Sequence, residues 1–177
     1  QTFGRPRLPL ADIVFSATFK EYSTMSGRRA ISNLNDCQSK GYLSKTPHYN
    51  SIFGYLENPT LTPIFKALIE ESATPLKVVE TDFAIDSSGF STSVYGRWYD
   101  AKYGREMKAH TWIKAHIMCG VKTNVVTSAE VTDGNGHDSP AFAGLLAATK
   151  AQGYDIQEVS ADKGYVSKLN AAAVLLA

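Results

Sequence analysis

Val78-Val79-Glu80-Thr81-Asp82-Phe83-Ala84-Ile85-Asp86, followed at once by Ser87-Ser88-Gly89-Phe90, is the stretch from which the rest of the chain can be ordered. Its apolar and β-branched residues predict a strand over residues 77–86, and the Ser-Ser-Gly run predicts a loop after it. Asp86 would then close the strand. A carboxylate at such a junction is suited to hold a hard cation at a sheet edge. Ile156-Gln157-Glu158-Val159-Ser160-Ala161-Asp162, running into Lys163-Gly164-Tyr165, has the same form and ends on Asp162. Two such strands side by side would offer oxygen ligands from two directions, as Mg²⁺ chemistry on phosphates requires. By period 2, Asp82 shares a strand face with Asp86, but only Asp86 ends the apolar run. The Asp82-x-x-x-Asp86 spacing also departs from the Asp-x-Asp pattern of an aspartyl-phosphate phosphatase.

Downstream of residue 86 the chain predicts two further strands, at 110–119 and 124–131, joined through the hairpin-length Gly120-Val121-Lys122-Thr123. On the second of these, Val125, Thr127, Ala129 and Val131 should form the buried face. Thr132-Asp133-Gly134-Asn135-Gly136 reads as a turn. Asp138-Ser139-Pro140 reads as a capped helix start, with the helix running to about Gln152 and closed by Gly153. After the strand at 156–162, a last helix begins near Ser167. The order β, β-hairpin, α, β, α is that of a ribonuclease H-like α/β domain, with a mixed sheet and flanking helices, over residues 76–177.

Residues 1–75 read as short helices. Ala11, Val14, Phe15, Thr18, Phe19 and Tyr22 recur at helical spacing. A second helix spans 28–40, and Thr46-Pro47 and Thr62-Pro63 each place a hydroxyl before a first-turn proline. This segment is a candidate for DNA contact. Residues 1–78 carry nine Lys/Arg against six Asp/Glu, a net of +3, within a chain of net charge +1. With 177 residues, 44% hydrophobic and 20% charged, the chain has an ordinary globular profile. Its longest apolar run, residues 171–177, is far too short for a membrane span. Cys37 and Cys119 lie far apart, which argues against a zinc site or a disulfide framework and suits a reducing cytosol. The chain begins without Met and ends inside an apolar, Ala-rich run, so it reads as a fragment of a longer protein.

The strings AIDSSGF, VTDGNGHDSPAF and SADKGY, in this order, resemble the catalytic core of bacterial insertion-sequence DDE transposases. The stretch His48-Tyr49-Asn50-Ser51-Ile52-Phe53 resembles the segment that precedes that core. The resemblance implies a ribonuclease H-like fold in which three carboxylates hold two Mg²⁺ ions, with Mn²⁺ as an alternative. Asp86 would be the first and Asp162 the second of these catalytic, metal-binding residues. The third, a glutamate on a later helix, has no counterpart before the chain ends, so residues 1–177 alone are expected to be inactive. The implied function is transposon-end binding with Mg²⁺-dependent DNA strand cleavage and transfer. Its rivals are a truncated remnant that only binds DNA and a ribonuclease H-like nuclease that hydrolyses without joining. The resemblance also implies a cytoplasmic, nucleoid-associated bacterial protein, with a homodimer on DNA among the expected assemblies.

Residues 95–108 mix cations with aromatics, and Arg97, Lys102, Arg105 and Lys108 are candidates to track a DNA backbone. Lys163, directly after Asp162, could meet a phosphate or neutralise the carboxylates. His110 and His116 match no compact metal motif and read as core or edge histidines. Asp138 is explained as a helix cap.

Overall fold

Residues 10–76 are helices and turns, and among the described residues the strands all lie beyond them, interleaved with further helices, as the change of period from helical to alternating predicts. The computed structural model describes residues 7–91 and 112–175. By its internal contacts the chain divides into two compact units, Gln1–Phe65 and Lys66–Ala177.

In the first unit, α1 (Leu10–Tyr22), α2 (Gly27–Ser39) and α3 (Tyr49–Leu56) close over Leu34, Leu43 and Ile52, with Phe15, Phe19 and Ile31 packed against them. Gly41, at φ +82°, supplies the left-handed residue just past α2. Asp12 accepts from the Ser44 backbone N–H at 3.2 Å and also from the Ser44 hydroxyl, tying α1 to the loop before α3. The Thr46-Pro47 pair does not open α3. Thr46 Oγ1 donates to Gln38 Oε1 at 2.8 Å instead, and the His48 side chain accepts from Asn50 N–H at 3.3 Å as the actual cap. A hydroxyl already bonded to α2 is not available to cap α3. α4 (Thr62–Ala73) follows a short 3₁₀ turn.

The second unit is an α/β fold of ribonuclease H-like form. Its four strands are β1 (Asp82–Ser91), β2 (Trp112–Gly120), β3 (Val126–Asp133) and β4 (Glu158–Ala161), in the sheet order β3-β2-β1-β4. β1–β2 and β2–β3 are antiparallel, whereas β1–β4 is parallel. The parallel pair is reached by a crossover through α5 (Ser139–Ala151), the connection parallel strands require. Phe83, Ile85 and Met118 from the sheet meet Phe142, Leu145 and Leu146 of α5, with Tyr154 and Tyr165 closing the cluster. Full burial of each such aliphatic or aromatic side chain is worth about 1.5–3 kcal/mol. α6 (Lys168–Leu175) follows the 3₁₀ turn Lys163–Tyr165.

Two strand expectations need correction. Lys77 to Val79 are turn, and β1 starts only at Asp82. It then continues through Ser87-Ser88-Gly89 as far as Ser91, because each of these residues has a partner on β2, from Ser87↔His116 to Ser91↔Trp112. The antiparallel ladder overrides the loop-like composition. On β3 the expected face fails beyond Thr127. Met118 pairs with Ser128 and Cys119 with Val126, so Thr127 is the extra residue of a bulge. Thr127 and Ser128 are therefore both buried: Thr127 Oγ1 lies 2.8 Å from Thr149 Oγ1, and Ser128 Oγ donates to the Leu145 carbonyl at 3.0 Å. Past the bulge the faces exchange, leaving Val131 61% exposed.

Candidate active site

The last pair of the parallel ladder is Ile85↔Ala161, and the next residue on each chain is Asp86 and Asp162. Asp162 keeps extended backbone (φ −70°, ψ 172°), so the strand geometry runs on through it. By alternation both aspartates lie on the sheet face opposite Phe83, Ile85 and Val159, and both are exposed. What stops at Asp86 is thus not β1 but its pairing with β4. The expectation of adjacent strands is met, although Asp86 does not end its strand.

Each carboxylate is steadied by a backbone N–H close in sequence. Ser87 N–H donates to Asp86 Oδ1 at 2.7 Å, and Gly164 N–H donates to Asp162 Oδ1 at 2.6 Å. Among the described residues neither aspartate enters an ion pair, which leaves oxygen capacity on one open face. Asp82 differs: Lys122 Nζ stands 3.7 Å from its carboxylate. That ion pair is a second distinction between Asp82 and Asp86, beside the end of the apolar run.

Support for the Asp162 turn comes from beneath. Tyr165 is 1% exposed, its hydroxyl lies 3.0 Å from His116 Nδ1, and Asn170 Nδ2 donates to its carbonyl at 2.7 Å. His116 is buried, and its Nε2 lies 3.0 Å from Thr132 Oγ1, so it is a core histidine. Burial pushes the Tyr165 phenol above its ordinary pKa. The Ser87 hydroxyl opposes that shift, while the charges of Asp138, Asp86 and Asp162 reinforce it.

Asp138 is the residue that sequence reasoning missed. It is helical in conformation (φ −73°, ψ −38°), and its side chain makes no cap hydrogen bond to α5. Instead Asp138 Oδ1 accepts from Lys114 Nζ at 2.9 Å and Ser87 Oγ at 3.2 Å. The Lys114 hydrogen bond, above all, holds its carboxyl below the usual carboxylate range; partial burial works against this, and the Lys114 charge and Ser87 hydroxyl assist. Ser139, the other residue able to cap α5, is the first helical residue, and its carbonyl accepts from Asn170 Nδ2 at 3.0 Å. The string His137-Asp138-Ser139-Pro140 held the signal, since an Asp directly before Ser-Pro leaves two candidates for one cap.

Lys163 is exposed beside Asp162 and enters no ion pair among the described residues. Arg97, Lys102, Arg105 and Lys108 lie outside the described residues. No group of three or more His, Cys, Asp or Glu is placed to hold a metal ion among the described residues. Two open carboxylates nonetheless suit Mg²⁺, which keeps several waters and is commonly bound by one or two carboxylates plus substrate phosphates. No helix among the described residues is long and apolar enough to cross a membrane.

No solved structure matches the chain at a significant level. Residues 78–175, which take in the whole described sheet together with Asp86, Asp138 and Asp162, match the family described as Transposase DDE domain. With more than half of its length matched, and with the sheet order and paired aspartates already in view, the chain belongs to the DDE transposase family.

Proposed function

We propose that Asp86 and Asp162 are the catalytic, metal-binding carboxylates of this transposase, and that they serve Mg²⁺-dependent cleavage and transfer of DNA strands at transposon ends. The observation that carries the reading is the parallel register of β1 and β4, which runs out at Ile85↔Ala161 with an open aspartate next on each chain. When bound, a pair of Mg²⁺ ions supplies activation of a water or 3′-hydroxyl and stabilisation of the leaving oxygen. The protein's part is to hold the two carboxylates in place, which sheet elements do better than loops. Lys163 would meet a DNA phosphate beside Asp162. Arg97, Lys102, Arg105 and Lys108 would track the backbone, and the helical segment 1–75 would add to the contact through its net positive charge. Family membership favours a divalent cation and a DNA substrate in general terms. A homodimer on DNA, in a bacterial cytoplasm, completes the proposal.

Titrating the chain with Mn²⁺ and following the amide signals of Ser87 and Gly164 tests the metal site directly. Both signals should broaden in the native sequence and neither in Asp86→Asn/Asp162→Asn. Equal broadening in the two proteins would remove these residues from the metal site. A parallel assay with labelled end DNA and Mg²⁺ separates strand joining from simple hydrolysis, the outcome that would favour a nuclease.

A further inference from the structure

Asp138 bonds to one of the residues that hold the paired aspartates and lies beside the other. Ser87, whose N–H donates to Asp86 Oδ1 at 2.7 Å, gives its hydroxyl to Asp138 Oδ1 at 3.2 Å. The alternation of β1 places the Asp86 side chain on the open face and the Ser87 side chain on the inner one, so anchoring Ser87 sets the direction of Asp86. Gly164, whose N–H donates to Asp162 Oδ1 at 2.6 Å, turns its bare Cα position toward the other Asp138 oxygen. A Cβ built on Gly164 would stand 2.9 Å from Asp162 Oδ1 and 3.1 Å from Asp138 Oδ2, so both carboxylates face the space that the missing side chain leaves. Lys114 Nζ fixes Asp138 itself, at 2.9 Å, and is held in turn by the Gly136 carbonyl at 3.2 Å. His116 Nδ1 stands 3.7 Å from Asp138 Oδ1.

An ion pair between Lys114 and Asp138 would not by itself require these neighbours. Their side chains are 24% and 22% exposed, and such a pair could form anywhere along the inner face. The Asp138 side chain also forgoes the α5 N–H groups that an aspartate in this position ordinarily caps. Its orientation serves the sheet and the Asp162 turn rather than its own helix.

We propose that Asp138 is a positioning residue: it holds Ser87 by a hydrogen bond and stands beside the Asp162 turn at Gly164, and this clamp sets the separation of Asp86 and Asp162. Its purpose rests on the reading of those two aspartates as cation ligands, while the clamp itself does not.

The test uses the whole 177-residue chain, with two readouts. The first is the pair of Ser87 and Gly164 amide protons, whose downfield shift and slow exchange report hydrogen bonds to carboxylates. In Asp138→Ala both amides should lose this signature, while the Ile85 and Met118 amides and the urea midpoint report whether the fold is otherwise kept. Unchanged Ser87 and Gly164 signals, or a uniform loss across all four amides, would overturn the proposal. The second readout is Mn²⁺ affinity, expected to weaken about 10–100-fold in Asp138→Ala, the usual cost of losing a group that orients metal ligands. If the native chain takes up no Mn²⁺, the metal reading fails and the amide signals still decide the clamp. Should Asp138→Ala not fold, Ser87→Ala decides: it should disturb the Ser87 amide and leave the Gly164 amide as it was. A Ser87→Ala protein with both amides unmoved would refute the clamp.

Discussion

β1 and β4 carry the paired aspartates on very different supports. β1 is ten residues long and lies inside the sheet, paired with β2 through Asp86 and beyond it. β4 is four residues long, occupies the edge, and gives way to a 3₁₀ turn directly after Asp162. The ladder fixes Asp86, whereas a buried aromatic three residues downstream fixes Asp162. A carboxylate can therefore be held rigidly at a sheet edge when the turn that follows is plugged into the core. Tyr165 does for β4 what β2 does for β1.

The most damaging test of that contrast is Tyr165→Ala, which should cost about 3–5 kcal/mol in urea denaturation, the usual range for deleting a buried aromatic. Its Gly164 amide should lose the bond to Asp162, while the Ser87 amide keeps its bond to Asp86. Equal disturbance of both amides would break the comparison. Ile85→Ala, on the other strand, should cost about 2–5 kcal/mol and leave the Ser87 signal in place, because the β2 ladder and the Ser87–Asp138 bond both persist. Tyr165→Phe keeps the plug and removes only its hydroxyl, so a loss of about 1–3 kcal/mol is expected from His116 left short of a partner.

The acid limb of stability sharpens the picture further. Lys114 lowers the native pKa of Asp138, so native Asp138 binds its proton less readily than the unfolded chain does. The resulting stabilisation is present in full above the unfolded carboxylate value of about 3.9 and is lost as pH falls through the lower native one. Urea midpoints recorded from pH 6 downward should show this fall, and Lys114→Met should reduce it. The smallest effects belong to Asp86→Asn and Asp162→Asn, each within about 0.5 kcal/mol of the native protein in urea melts, as expected for exposed groups that have no ion-pair partner among the described residues.

The sheet was readable because its strands are apolar and because Gly120-Val121-Lys122-Thr123 has the length of a hairpin. The positions of Asp86 and Asp162 were readable for a related reason, although the junction at Asp86 proved to be the end of a neighbour rather than the end of its own strand. Composition around Ser87-Ser88-Gly89 could not reveal that β2 would pair with it, since pairing depends on a partner far away in sequence. The bulge at Thr127 was hidden for the opposite reason. Val125, Thr127, Ala129 and Val131 alternate without a break, and the extra residue follows from the hydroxyl of Thr149 on α5. Asp138 was misread because its local context satisfies a capping rule, while its partners Ser87 and Lys114 come from two other strands. Local signals were reliable wherever the partner was also local.

The pair Ser91↔Trp112 also bears on how this protein can change through evolution. It brings the two ends of the connection between β1 and β2 side by side. Loop-closure entropy grows slowly, by about 0.6 kcal/mol for each doubling of length. The closure cost of a connection between those two residues therefore depends little on its length. A change of length there would leave the β1–β2 register, and with it the backbone at Asp86, in place.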